Sequence, residues 1–170
     1  MTYRHHRDRD GSCSEMGQTA ETSFKNSLEA FSFELTATAF KDQIRHLDFF
    51  VASPEGLSVD VKARKRVARS GERQDELVWV EFVGGGGKKG WLYGEQDWLA
   101  FEREKDFVVV PRSNLAELCE KVVDTETPAT SAADAVLKMY NRKGKKDALS
   151  LIPMKTITKN IPVIILKKYD

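Results

Sequence analysis

The sequence predicts an α/β fold with a mixed central β-sheet flanked by helices. An apolar run at 44–53 and an alternating run at 57–63, joined by a short turn, indicate a β-hairpin. Apolar residues recur at helical spacing in two segments, 21–40 and 113–123. Runs rich in β-branched and aromatic residues predict further strands, at 77–83, 97–101 and 107–110.

The turn of the first hairpin predicts its register. Pro54 suits the first central position of a type I turn, and Gly56 accepts a left-handed conformation. Together they favour a three-residue loop, which pairs Ser53 with Leu57. We expect Gly56 to have a positive φ angle.

This register places the charged residues of the hairpin on one face. Asp48 lies opposite Lys62, and Asp60 lies opposite Phe50. Because paired residues share a face, Asp48, Asp60 and Lys62 point to the side away from the core. The other face carries the apolar residues Leu47, Phe49, Val51, Val59 and Val61.

Two carboxylates on one face of a hairpin can hold a hard cation. In the predicted register Asp48 and Asp60 are diagonal neighbours, roughly 7–8 Å apart at the backbone. Mg²⁺ is bound through oxygen ligands, usually one or two carboxylates with waters and substrate phosphate. Lys62 beside such a metal could orient an attacking water. The alternative is a solvated hairpin face with an Asp–Lys salt bridge.

The spacing of these residues resembles a known enzyme superfamily. Asp48, eleven intervening residues and then Asp60-Val61-Lys62 resemble the PD-(D/E)xK nucleases. The segments HLDFFV, SVDVKARK, VWVEFV, GWLYG and DWLAFE are similar to small nuclease-like proteins of bacteria and phages. The resemblance covers about 21–123, and Leu47 stands where the superfamily name has proline.

The resemblance implies a restriction-endonuclease-like core and a metal-dependent deoxyribonuclease. Asp48, Asp60 and the Val61 carbonyl would bind Mg²⁺ or Mn²⁺, and Lys62 would position the attacking water. DNA is the implied partner, and junction-cleaving relatives of the Holliday junction resolvase kind work as homodimers. The alternative is a nuclease-like nucleic-acid-binding or assembly module without turnover.

A further acid is expected from the first helix. Glu21 lies on the stripe of Phe24 and Leu28, so it is our candidate for a fourth catalytic residue. Glu29 and Glu34 fall off that stripe. A first-turn acid favoured by the helix dipole explains Glu21 equally well. Glu81, the charged residue within the 77–83 strand, is a second candidate that could instead face solvent.

Basic residues near the hairpin and in two later loops are candidates for phosphate contacts. Four glycines at 84–87 precede two lysines, but a phosphate-binding P-loop needs a serine or threonine after its lysine. This segment is therefore predicted to be a hairpin loop, with 91–93 beginning the return strand. The alternative for each basic segment is a solvated loop. The candidates are Arg64, Lys65, Arg66, Lys88, Lys89 and Arg142.

The remaining segments predict a single domain at 20–170 behind a disordered tail at 1–19, with a polar linker at 124–134. Ser113 is expected to cap the second helix, and Pro162 to stand at the start of the last strand or to confine that strand to a sheet edge. Trp98 and Phe101 could stack on bases, although strand aromatics usually belong to the core. The net charge of +1 means that any basic surface is local, and the absence of a long apolar run argues against a membrane span. Two cysteines in different contexts, Cys13 and Cys119, favour a reducing cytoplasm.

Overall fold

The computed structural model describes residues 12–30, 35–38, 42, 45–51, 56–67 and 71–169. Within these ranges the helices are α1 (Ser12–Glu29), α2 (Arg112–Val122) and α3 (Met154–Asn160), with a 3₁₀ turn at Trp91–Tyr93. The strands are β1 (Leu35–Ala37), β2 (Phe49–Val51), β3 (Leu57–Lys62), β4 (Leu77–Val83), β5 (Trp98–Glu102), β6 (Asp106–Pro111), β7 (Ala148–Pro153) and β8 (Ile164–Lys167). None of the helices in these ranges has the length and apolar composition needed to cross a membrane.

Six strands form one mixed sheet, in the order β1-β2-β3-β5-β6-β8. Neighbouring strands are antiparallel except β3 and β5, which are parallel. The other two described strands, β4 and β7, form a separate antiparallel pair. The predicted α/β class with a mixed central sheet is confirmed.

Both faces of the central sheet are covered. On one face, α1 packs through Ala20 and Phe24 against the apolar residues of the β2–β3 hairpin. On the other face, α2 and the β4–β7 pair surround Leu99 and Val110. Asp60 pairs with Leu99 across the parallel ladder, so its side chain lies on this second face and is only 3% exposed. The prediction that the charged face lies away from the core is therefore wrong for Asp60.

The hairpin register differs from the predicted one by two residues. Phe50 pairs with Ser58 and Val51 pairs with Leu57, so neither the predicted pairing of Phe50 with Asp60 nor that of Ser53 with Leu57 occurs. The connection spans five residues rather than three, because β2 ends at Val51 and β3 begins at Leu57. Positions 52–55 lie outside the described residues.

A two-residue shift leaves the faces of the hairpin unchanged, because side chains alternate with a period of two. The predicted inward residues Leu47, Phe49, Val59 and Val61 are all buried. Gly56 has the predicted positive φ, at +63°. The ladder ends at the Phe49–Val59 pair, beyond which the Asp48 N–H donates to the Val59 carbonyl at 2.8 Å. Asp48 therefore lies next to Asp60, and their carboxyl groups share a hydrogen bond.

The first helix lies earlier in the chain than predicted. It begins at Ser12, so 12–19 is helical and the predicted disordered tail is wrong there; residues 1–11 lie outside the described range. It ends at Glu29, and Leu35–Ala37 forms β1, whose backbone groups pair with β2. Phe31 and Glu34 lie outside the described residues.

Two local predictions are wrong, the return strand at 91–93 and the helix cap at Ser113. Residues 91–93 form a 3₁₀ turn rather than a return strand, since Gly90 packs directly on the backbone of β4, where a Cβ would lie 2.1 Å from the Glu81 carbonyl oxygen. Helix α2 begins after Pro111, without a side-chain cap, so Ser113 is not the cap.

Other predictions agree with the structure. Strand β4 has the predicted bounds, and the strands predicted at 97–101 and 107–110 are present as β5 and β6, which pair with each other. Strand β8 lies at the edge of the central sheet, as Pro162 indicated. The segment after the polar linker completes both sheets, because β7 pairs with β4 and β8 pairs with β6.

Candidate active site

Asp48 and Asp60 form the centre of the candidate site. Asp48 immediately precedes β2, and its Oδ2 accepts a hydrogen bond from the Val61 backbone N–H at 2.6 Å. Asp60 lies within β3, next to Val61, and is buried. The hairpin therefore holds the Asp48 carboxyl group, just before β2, against the backbone of the strand that carries Asp60.

Lys62 is held against this pair from the end of β3. Its Nζ lies 2.6 Å from Asp60 Oδ2 and 4.9 Å from the centre of the Trp91 ring. Asp60 Oδ2 nevertheless receives no well-aligned hydrogen bond from the described residues, although it is buried. This oxygen is thus partly neutralised by charge but keeps an unused acceptor position, which is costly inside a protein.

The close approach of the two carboxyl groups changes their protonation. The pKa of Asp48 is raised to about 7, mainly by burial and then by the charge of Asp60 and a hydrogen bond between the two groups, while the Val61 N–H and Lys62 oppose the rise. Burial also raises the pKa of Asp60, against the opposing effects of Lys62 and of the hydrogen bond from Asp48. The pair therefore behaves as a coupled dyad that retains a proton near neutral pH.

Two acids from other elements complete a ring around Lys62. Burial raises the pKa of Glu21 on α1 to about 7, reinforced by Asp48 and opposed by Lys62. Burial also raises the pKa of Glu81 on β4, opposed by Lys62 and by a hydrogen bond from the Trp91 backbone. In the described part of the chain, each carboxyl group with a raised pKa therefore interacts with Lys62.

Sequence reasoning missed Trp91 and His46 as parts of this site. Trp91 was assigned to a strand, and nothing in its neighbourhood linked it to Lys62, 29 positions earlier. His46 has a left-handed backbone, with φ of 64°, a conformation that costs a non-glycine residue on the order of 1–3 kcal/mol. Burial and the charge of Lys62 lower the pKa of His46 to about 4, so its imidazole is neutral at physiological pH.

The acids do not form a complete metal cage. No three His, Cys, Asp or Glu side chains within the described ranges converge closely enough to hold a metal ion between them. Glu21 interacts with the dyad through charge, Glu81 interacts with Lys62, and Asp48 and Asp60 are direct neighbours. Of the other acids considered on the first helix, Glu29 is exposed and paired with Lys25, and Glu34 lies outside the described residues.

The basic residues that follow β3 separate into two groups. Arg64 is used structurally, because its Nε donates to Asp75 Oδ1 at 2.5 Å and its backbone N–H donates to Glu102. Lys65 is exposed, and its charge interacts with Lys62 and Glu81, so it borders the site. Arg66 is exposed and its backbone carbonyl accepts a hydrogen bond from the Trp79 side chain.

The later basic candidates lie together. Lys88 and Lys89 are exposed on the glycine-rich loop. Arg142 interacts with Glu81, but its guanidinium is paired with the buried Asp147. The two strand aromatics belong to the core, as the sequence favoured, since Phe101 is 2% exposed and the partly buried Trp98 packs against the apolar cluster beneath α1.

The structure thus brings Glu21, Asp48, Asp60, Lys62 and Glu81 to one place. It assigns Arg64 and Arg142 to ion pairs, and leaves the lysines on the surface. No protein-family model, curated protein or solved structure shows a significant match to this chain.

Proposed function

We propose that this protein is a metal-dependent nuclease that hydrolyses phosphodiester bonds of DNA. The observation that carries the proposal is the Asp48–Asp60 dyad, two opposed carboxyl groups held beside a lysine and surrounded by further acids. Burying and crowding like charges opposes folding, and such arrangements are concentrated at functional sites. A purely structural Asp–Lys pair would need neither Asp48 nor the two outer acids.

The dyad fits a hard divalent cation. The donors are oxygens, Asp60 Oδ2 has an unused acceptor position, and the charge of the two carboxylates exceeds that of Lys62 once a cation displaces the shared proton. Asp48 and Asp60, with the Val61 carbonyl, would hold Mg²⁺ or Mn²⁺. Two carboxylates with waters and substrate phosphate are a usual Mg²⁺ shell. When bound, the cation would lower the pKa of a water and neutralise charge on the scissile phosphate.

The remaining residues have distinct roles in this proposal. Lys62 orients the attacking water and stabilises negative charge on the phosphate, and Trp91 holds its ammonium in place. Glu21 acts through a bound water, because it is not grouped with both aspartates as a ligand. Its raised pKa lets it accept or release a proton near neutral pH.

The topology is compatible with a restriction-endonuclease-like core. A helix precedes a three-stranded antiparallel meander, and the strand that carries Asp60 and Lys62 is flanked by β2 on one side and the parallel β5 on the other. We propose this core as the finer fold assignment. The same arrangement places the two aspartates on adjacent strands, as the nuclease mechanism requires.

Cleavage of a DNA panel tests the proposal. Linear, nicked, flapped and four-way-junction DNA would be incubated with Mn²⁺, Mg²⁺ or EDTA, using wild type, Lys62→Ala and Asp60→Asn. We expect metal-dependent cutting that both substitutions abolish. Lys155→Ala, on the exposed side of α3, is the matched control for loss of a lysine. Absence of cutting on every substrate by a folded wild-type protein would contradict the enzyme assignment.

A binding module without turnover is the second candidate. It is favoured by the 2.6 Å contact between Lys62 and Asp60, because the lysine already neutralises one carboxylate without a metal. Calorimetric titration with Mn²⁺ separates the candidates. The nuclease should bind Mn²⁺ in a manner that depends on Asp48 and Asp60, whereas the module should bind DNA in EDTA and show no such heat.

A further inference from the structure

The glycine-rich loop (84–89) and the basic turn (141–147) are neighbours in space. Strand β4 ends at Val83 and β7 begins at Ala148, and these two residues pair in the antiparallel ladder. The loop leaving β4 and the turn entering β7 must therefore lie side by side. A Cβ placed on Gly87 would lie 3.2 Å from Cδ of Lys146, which shows that the two segments are in contact.

Both segments are closed by their own hydrogen bonds. The Gly84 N–H donates to the Lys88 carbonyl at 2.8 Å, and the Gly87 N–H donates to the Gly84 carbonyl at 2.8 Å. In the turn, the Lys145 N–H donates to the Arg142 carbonyl at 2.9 Å, and Arg142 is ion-paired with Asp147, which is fully buried. The backbone that carries the lysines is therefore ordered before any ligand binds.

Positive charge is concentrated in these two segments. They carry six cationic side chains and one carboxylate, a net charge of +5, while the whole chain has a net charge of +1. All other residues together are therefore net −4. The cationic side chains, all exposed, are Lys88, Lys89, Arg142, Lys143, Lys145 and Lys146.

This surface adjoins the candidate active site. Arg142 and Lys65 both interact with Glu81, which also interacts with Lys62. A Cβ placed on Gly84 would lie 3.4 Å from Oε1 of Glu81, so the Glu81 carboxylate borders the glycine-rich loop. Neither loop includes a proposed metal ligand.

We propose that the two loops together form a surface that binds the phosphate backbone of duplex DNA. The bound part of the DNA is the part that flanks the scissile phosphate. The inference rests on the proposed function, and it assigns the substrate class as polymeric rather than a mononucleotide or single phosphodiester. Arg142 acts by holding the turn closed on Asp147. The phosphate contacts come from the five lysines of the two segments.

Salt-dependent DNA binding in EDTA tests the surface independently of catalysis. The triple variant Lys143→Gln, Lys145→Gln, Lys146→Gln would be compared with wild type for a fluorescent duplex across NaCl concentrations. Each phosphate contact makes the slope of log K against log[salt] more negative by about 0.9. Loss of three contacts should therefore reduce the magnitude of the slope by about 2–3. The matched control, with the same loss of charge, is Lys121→Gln, Lys155→Gln, Lys159→Gln on α2 and α3.

Two results would overturn the inference: an unchanged salt slope in the triple variant, or an equal decrease in the control. Cleavage gives a second readout, since the triple variant should raise KM for duplex DNA and leave hydrolysis of bis(4-nitrophenyl) phosphate unchanged. If wild type cleaves nothing but the slope falls as expected, the proposed function fails and the binding surface stands.

Discussion

Replacing Asp48 with asparagine should stabilise the metal-free protein at neutral and alkaline pH. The substitution removes the charge that Asp60 and burial oppose. It preserves an oxygen that can accept the hydrogen bond from the Val61 N–H. If Asp48 is kept for function at the expense of stability, replacing it stabilises the protein. If Asp48 is kept for a structural interaction, replacing it destabilises the protein.

The magnitude follows from the pKa of Asp48. The rise from 3.8 to about 7 means that the native protein holds a proton that the unfolded chain has lost. Between these values, wild-type stability therefore falls as pH rises. Each pKa unit corresponds to about 1.4 kcal/mol, so the full cost above pH 7 is at most about 4 kcal/mol. Solvent relaxation around a partly exposed group reduces this cost. We therefore expect the free energy of unfolding of Asp48→Asn to exceed that of wild type by about 1–3 kcal/mol at pH 8.

Urea denaturation followed by tryptophan fluorescence, in EDTA at several pH values from 5 to 8, measures this difference. The advantage of Asp48→Asn should grow across that range and level off above pH 7. Asp124→Asn is a control of opposite sign, because hydrogen bonds from the Thr127 and Glu126 backbones lower the pKa of Asp124. That variant should lose stability at neutral pH. An Asp48→Asn protein that is less stable than wild type at pH 8, or a difference that does not vary with pH, would refute the reasoning.

Two further predictions concern residues that position others. Trp91→Leu should lower kcat for DNA cleavage up to about tenfold with little change in KM, because the ring that holds Lys62 is lost. Trp91→Phe, which keeps an aromatic face, should restore most of kcat. Equal kcat in the two variants would exclude the cation–π role. Arg64→Gln should lower the free energy of unfolding by about 1 kcal/mol, because its ion pairs with Asp75 and Glu104 are lost. The salt slope of DNA binding should not change, and a reduced slope would show that Arg64 contacts phosphate after all.

The sequence predicted the strands and the faces of the β2–β3 hairpin well. Alternation between Leu57 and Lys62 identifies which side chains share a face, and an error of two residues in the register does not alter that result. Asp48, Asp60 and Lys62 were therefore grouped correctly although their pairing was wrong. The five-residue connection could not be read from Pro54 and Gly56 alone, because turn residues restrict backbone angles but do not determine where each strand stops.

The first helix shows the limit of periodicity. Phe24 and Leu28 belong to a helix, and Leu35 continues their spacing but lies in β1, where pairing with β2 satisfies its backbone. Thr19 and Thr22, which disfavour a helix by propensity, donate to helical carbonyls within α1. Local preference is weak compared with the packing of Ala20 and Phe24 against the sheet and the pairing of β1 with β2.

The sequence by itself determined the α/β class, which side chains of the first hairpin share a face, and the grouping of a D-x-K motif with an upstream aspartate. Only the tertiary structure decided that the charged face is covered, that Trp91 and Glu81 meet Lys62, and that the glycine-rich loop touches the basic turn. The first set depends on neighbours within about a dozen positions, where alternation and turn chemistry act directly. The second depends on β7 pairing with β4 across more than 60 positions, a contact selected by the burial of both strands together.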